Sequence, residues 1–375
     1  MRKLYYEDSH LTAFSAKVTE VLENKKGFWV TLEETAFYPE GGGQPCDLGT
    51  LGNANVLDVQ EKEGAVWHLL DQPLSVGQQA EGKIDWARRF DLMQQHTAEH
   101  IISGIANRLY GCHNVGFHMG ADVITLDFDK LLPEEALPKI EKLANEAVFA
   151  NIPVQCSVPS EAELPTIPYR TKKVLPWPVR LVEIPGYDTC ACCGVHTKTT
   201  GELGLIKLLS CVKFHQGVRI EMVAGWRAYR MACAIFDQNR QVSQTFSAKV
   251  LETGEAARRM NAALTAEKFR SGSLERQLMD AIAQAFAGQE KAICFTKELP
   301  ARPLAEQLAA KGAGLAAVFR GSDAEGYSFA LISKTQDVAE LGKALTRTFS
   351  GKGGGRDGFF QGSISATEEQ IRGFW

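Results

Sequence analysis

Between residues 13 and 85, apolar and polar positions alternate in short runs separated by turns. The run "FWVTLEETAFYP" is aromatic and β-branched, and "GGGQP" breaks it sharply. "GTLGNANVLDVQ", "GAVWHLL" and "GQQAEGKIDW" then repeat the same rhythm, which predicts a small barrel or sandwich. From Asp85 the period lengthens, and "DWARRFDLMQQHTAEHIISGIANRLYG" predicts one helix of about 25 residues. A strand, "DVITLDF", follows. Next comes a helix opened by Pro133, with Glu134 and Glu135 in its first turn, where the helix dipole favours acids. "VRLVEIPG", "GLIKLLSCVKF" and "VRIEMVAG" read as strands around the cysteine-rich "CACCGVH". Residues 226–289 are almost free of Gly and Pro, and Ile235, Val242, Phe246 and Val250 are spaced for one helix face. They predict a long helical connector that packs or self-associates. Residues 291–375 alternate strand and helix as a small α/β domain and end in "GKGGGRDGFFQGSIS".

Composition narrows the classes. At 375 residues the chain has room for two or three cores. The formal net charge of −4 gives no overall basic field, so a nucleic-acid partner has to be met by a local patch. "MRKLYYEDSH" lacks the apolar run of a secretory leader, and no stretch of about eighteen apolar residues is present. The expectation is a cytoplasmic protein with no membrane partner. In a reducing compartment the nine cysteines are thiols or metal ligands rather than disulfides.

Two pairs of residues carry candidate chemistry. On a helix, residues four apart differ by about 40° around the axis, so His96 and His100 share a face. In "CACCGVH", Cys192 and His196 are again four apart, in a glycine-containing turn. Two imidazoles from a helix with a sulfur and an imidazole from a loop make a soft tetrahedral set suited to zinc. Spacing alone leaves Cys190 and Cys193 as competitors for Cys192. The zinc-protease pattern needs a glutamate directly after the first histidine, and Thr97 stands there. Glu99 falls on the opposite edge of the pair, as a supporting or solvated residue. Four protein ligands usually mark a closed, structural site, which leaves the role of the ion open between catalysis and positioning.

The segments "ETAFYPEGGGQPCDLGTL", "DWARRFDLMQQHTAEHIISG", "GFHMG" and "CCGVHTKTTGELGLIKLLS" resemble the editing domain of alanyl-tRNA synthetase and its free-standing AlaX relatives. The tail "GKGGGRDGFFQG" is similar to the glycine-rich part of the synthetase's C-terminal, DHH-associated domain, which points to the long form of AlaX. The family's zinc motifs are H-x-x-x-H and C-x-x-x-H, so the resemblance implies His96, His100, Cys192 and His196 as ligands of one Zn2+. Cys193 and Val195 depart from the usual C-G-G-T-H. The implied fold class is α+β: a β-barrel subdomain over residues 1–85, a zinc-bearing editing core over 86–225, the connector over 226–289 and the C-terminal α/β domain over 290–375. With no room upstream for an aminoacylation domain, the implied activity is hydrolysis of a wrongly charged tRNA.

The implied substrate is tRNA(Ala) carrying serine, with glycine as a second case. A pocket that bonds the seryl hydroxyl leaves its own polar group unpaired with alanine, which gives discrimination. By the resemblance, Thr35 and His118 are substrate-binding. Gln44 follows three glycines that let backbone approach a ligand, and joins them. No Ser-His-Asp set appears, so water is the attacking group, with no activator assigned. Candidate tRNA contacts are Arg88 and Arg89 at the helix start, Lys172 and Lys173 in a loop, and Lys352 and Arg356 beside the glycines. The connector and the last domain suit dimerisation or tRNA docking. Competing readings are threonyl-type editing of seryl-tRNA and a non-catalytic RNA-binding module with a structural zinc.

Overall fold

In a computed structural model the chain is a mixed α+β protein, described for residues 1–171, 175–356 and 358–375. It divides into two compact units, Met1–Arg240 and Gln241–Trp375.

The first unit contains six strands hydrogen-bonded in a closed ring. In ring order they are Ala13–Asn24, Gly27–Leu32, Ala65–Leu70, Ala54–Lys62, Gly49–Leu51 and Gln79–Ile84. Period-two patterning explains the closure. Along Gln79–Ile84 exposed and buried residues alternate, so one face of the strand fills the interior. That interior is aliphatic, with Val18, Val30, Leu32, Val59, Val66 and Leu70 at 3% exposure or less. Burial of each is worth roughly 1.5–3 kcal/mol.

One histidine is enclosed there. His68 is fully buried, its Nδ1–H donates to Val30 O at 3.0 Å, and its Nε2 accepts from the Thr35 hydroxyl at 2.8 Å. Burial pushes its pKa down to about 4. Below the unfolded value of about 6.5 the unfolded chain takes up a proton that the folded barrel refuses, so stability falls as pH drops from about 6.5 towards 4. Between pH 7 and 5 the His68 contribution to this loss is about 2 kcal/mol. Urea unfolding of wild type and His68→Gln at both pH values should show the variant losing less; equal losses would exclude the effect.

The helix Trp86–Tyr110 follows the barrel directly. Asp85 caps it by accepting from Arg88 N at 3.1 Å, and Gly111, at φ 62°, ends it in the left-handed conformation. Residues 92–106 are all buried, polar ones included. Against this helix packs a four-stranded sheet in the order Ile206–Phe214, Gly217–Ala224, Ile124–Phe128, Asn114–Met119. A three-stranded sheet of Gln155–Ser157, Leu181–Ile184 and Asp188–Ala191 lies beside it. Ile101, Ile102 and Ile105 meet Leu126, Ile140 and Ile220 in one core. The helix expected to open at Pro133 begins three residues later, as Ala136–Ala150. Pro133 O instead accepts from Ala136 N in a turn before it.

The barrel is tied to the helix by a buried ion pair. Arg89 Nε donates to Asp47 Oδ1 at 2.7 Å and Nη2 reaches Asp47 Oδ2, with both side chains fully buried. Nη2 and Nη1 also donate to Ala36 O and Ser9 O. Arg89 therefore has no solvent-facing group for RNA, which corrects its assignment as a tRNA contact. It is a strut, and Asp47 also accepts from Tyr38 N at the head of the glycine loop.

The expected connector is two helices, Gly225–Thr245 and Thr253–Ala285. The spacing carried through Phe246 and Val250 does not continue the helix, because Ser247 takes a positive φ of 48°. The second unit is a five-stranded sheet in the order Lys291–Thr296, Leu315–Ser322, Gly326–Ser333, Phe359–Ile364, Lys352–Arg356. Its first pair is parallel, with the helices Ala301–Ala310 and Ala339–Thr348 in the connections.

Candidate metal centre

The two pairs four residues apart meet in space. The ligand atoms of His96, His100, Cys192 and His196 all lie within 4.8 Å of one another. Cys192 Sγ is 3.5 Å from His96 Nε2 and 3.4 Å from His196 Nε2. The histidines are buried, and Cys192 is half-buried.

Each imidazole is held from behind. Val195 N–H donates to Gln44 Oε1, which fixes that amide, so His96 Nδ1 must donate to the same oxygen at 2.8 Å. Asp188, a carboxylate, accepts from His100 Nδ1 at 3.0 Å. The Thr97 hydroxyl is 3.2 Å from His196 Nδ1. Engagement of Nδ1 leaves Nε2 of each ring for an ion, the usual construction behind metal-binding histidines. Asp188 is itself clamped by Arg170, through Nε at 2.6 Å and Nη2 at 2.8 Å. Burial would raise the Asp188 carboxyl, but Arg170 and His100 outweigh it and hold it low.

Local backbone makes these approaches possible. A Cβ on Gly194 would fall 2.2 Å from His96 Cε1, so only glycine lets the cysteine loop lie against that ring. A Cβ on Gly104 would fall 2.2 Å from Tyr187 O, so this glycine admits the strand that brings Asp188 to His100.

The electrostatics favour a thiolate ligand. Burial alone would push the Cys192 thiol up, but His96, His100 and His196 together pull it well below its ordinary value. Gly194 N–H donates to the sulfur at 3.3 Å. Burial, with His96 beside it, pushes His196 down to about 3. One soft thiolate and three imidazoles with their far nitrogens engaged suit zinc. Cys190 falls in a second grouping with His100 and Asp188, where Asp188 is already committed to Arg170. Cys193 is exposed and points towards Tyr38, 4.0 Å from its hydroxyl.

Residues 3–88 match the family described as tRNA synthetases class II (A). Residues 179–221, which include Cys192 and His196, match the second additional domain of threonyl and alanyl tRNA synthetases. Alanine–tRNA ligase of Pyrobaculum neutrophilum is 32% identical over 403 residues, covering 99% of this chain and 44% of the relative. The Thermofilum pendens ligase is 31% identical over 98% of this chain and 42% of its own length. The Ignicoccus hospitalis ligase is 35% identical over 66% of this chain and 28% of its own. This chain is related to alanyl-tRNA synthetase. It spans less than half the length of these curated relatives.

The other residues expected from the alanyl-tRNA synthetase resemblance fall in varied places. Gln44 is fully buried, and its Nε2 has no hydrogen-bond partner. Thr35 is also fully buried: its hydroxyl donates to His68, as above, and accepts from Phe37 N at 3.1 Å. His118 is exposed on Asn114–Met119, whereas its neighbour Phe117 lies over His96 with ring centroids 5.2 Å apart. Glu99 is buried, the supporting rather than the solvated of its two expected settings, and its Oε2 is 3.8 Å from His100 Nε2. Arg88 is half-buried and donates to Cys46 O at 3.1 Å. Lys352 and Arg356 are exposed on Lys352–Arg356, and Lys172 and Lys173 lie outside the described residues. Gln44, Thr97 and Asp188 as partners of the three imidazoles carry no spacing signal; only the "FYPEGGGQ" segment marked one of them.

Proposed function

We propose that this chain deacylates mischarged tRNA(Ala), removing serine and glycine from the terminal ribose, as a trans-editing hydrolase of the long AlaX type in the cytoplasm. The observation that carries the reading is the convergence of His96, His100, Cys192 and His196 beside a buried Gln44 amide whose Nε2 lacks an acceptor. Zinc, when held by those four side chains, supplies Lewis acidity towards an ester carbonyl and a fixed point for the substrate. Gln44 orients His96 through Oε1 and offers Nε2 to the carbonyl oxygen of the ester. Thr35 and His118 serve seryl recognition. The Thr35 hydroxyl proton is engaged with His68, so this oxygen can only accept, and a seryl hydroxyl can donate to it where an alanyl methyl cannot.

In this reading residues 1–85 and 86–225 are the two halves of the editing module, and 290–375 the DHH-associated domain. Arg88, Lys352 and Arg356 contact tRNA phosphates. The helices Gly225–Thr245 and Thr253–Ala285, with Trp226, Phe236, Met260 and Leu264 more than half exposed, suit self-association.

The test is deacylation of seryl-tRNA(Ala) and alanyl-tRNA(Ala) by the purified chain, with its metal content. Hydrolysis of the seryl ester at least tenfold faster than the alanyl ester, with about one zinc per chain, supports the proposal. Bound zinc without hydrolysis of either would leave a structural RNA-binding module instead.

A further inference from the structure

We infer that Glu99 receives the α-ammonium group of the aminoacyl ester, so that this site admits esters with a free amine and disfavours N-acylated ones. The inference rests on the deacylase reading above.

Glu99 is 5% exposed, and its two oxygens have unlike surroundings. Oε1 accepts from Ser103 Oγ at 2.7 Å and Asn114 Nδ2 at 2.6 Å. That linkage ties the long helix to Asn114–Met119 and is a sufficient structural role for half of the carboxylate. Oε2 takes no part in it. Its ion-pair neighbour is His100 Nε2 at 3.8 Å, the nitrogen that faces the cluster because Nδ1 is bonded to Asp188, while Arg170 and Cys190 lie farther off within electrostatic reach of the carboxylate. Oε2 makes no hydrogen bond yet is not fully enclosed, which leaves it open to a donor from a ligand, and nothing in the helix–strand linkage uses it.

A second buried acceptor stands beside it. Asn114 uses Nδ2 on Glu99 and Ser103, and its Oδ1 is buried with no partner. The His96 side has the opposite deficiency, the Gln44 Nε2 donor without an acceptor. The two rings have centroids 5.4 Å apart. Unsatisfied acceptors thus lie on the His100 side and an unsatisfied donor on the His96 side. An aminoacyl ester has the matching polarity, with an ammonium carrying three N–H donors and a carbonyl oxygen that accepts. The ammonium falls to Glu99 Oε2 and Asn114 Oδ1, and the carbonyl to Gln44. An N-acyl group removes the charge and two of the donors. No bond is made or broken by Glu99 in this role.

The experiment compares the 3′-seryl-amide of adenosine, which is not hydrolysed, with its N-acetyl form. Binding is measured by calorimetry to the full chain, zinc-loaded and zinc-free, as wild type and Glu99→Gln. Hydrolysis of seryl-tRNA and N-acetylseryl-tRNA is followed in parallel. Wild type should bind the free-amine ligand about tenfold or more tightly. Glu99→Gln should bring that ratio to within about twofold, with zinc content unchanged. If Glu99→Gln does not fold, Glu99→Asp should show an intermediate ratio. No preference in wild type, or a preference that survives in Glu99→Gln, overturns the inference; so does an equal fall in turnover of both esters with the preference intact. Amine-selective binding without any hydrolysis would defeat the deacylase reading and leave the anchor standing.

Discussion

Cys192→Ser is expected to reduce bound zinc from about one per chain to below about a tenth, and to lower seryl-tRNA deacylation by roughly a thousandfold. Cys192 supplies the one anionic donor of the four, and three imidazoles already depress its thiol. A serine hydroxyl does not ionise there, so the ion is left with three neutral ligands. The geometry behind the rings is untouched by the substitution, because Gln44, Thr97 and Asp188 still engage His96, His196 and His100. The loss therefore reports the donor and not a displaced scaffold. Cys193→Ser is the matched control: its sulfur points away to Tyr38, and both quantities should stay within about twofold of wild type. Elemental analysis with a deacylation time course settles the matter. Zinc retained at full stoichiometry in Cys192→Ser would remove that residue from the ligand set.

Arg89→Ala should destabilise the first unit by about 3–5 kcal/mol, the usual consequence of removing one partner of a buried ion pair. Its guanidinium makes two bonds to Asp47 and one each to Ala36 O and Ser9 O, all at zero exposure of both ionic side chains. Deletion leaves Asp47 charged and buried, bonded only to Tyr38 N among its former donors. Asp47→Ala combined with Arg89→Ala should be less damaging than the sum of the single changes, since neither charge is then stranded. Urea unfolding of the four proteins gives the coupling. A loss below about 1 kcal/mol for Arg89→Ala would show that the strut is not needed.

The barrel strands are legible because their burial follows the period that the chain displays, and the long helix because the spacing of its sequence is helical, although its middle is buried on every side. Residues 79–84 alternate, and His96 and His100 recur at one helical turn. Other features needed contacts that no local pattern encodes. Arg88 and Arg89 are adjacent and look alike as a basic pair, yet the helix rotates Arg89 onto Asp47, 42 residues earlier, while Arg88 stays half-buried. "GFHMG" suggested its histidine, but strand alternation turns Phe117 towards His96 and His118 outwards. Asp188 and Thr97 are polar residues in ordinary settings until His100 and His196 are placed beside them. The break near residue 247 has neither Gly nor Pro to announce it.

Cys192 follows His96 by 96 residues, and every hydrogen-bond partner behind the imidazoles except Asp188 comes from a segment already made by the time the helix is complete. At roughly 5–20 residues per second, a ribosome needs about 5–20 s between the first imidazole and the thiolate. For that interval the emerging polypeptide displays His96 and His100 without Cys192 and His196 to complete the set. A metal captured early would lack half of the four-residue set and exchange readily, so selection of an ion by this cluster would fall late in synthesis, when the loop closes over it.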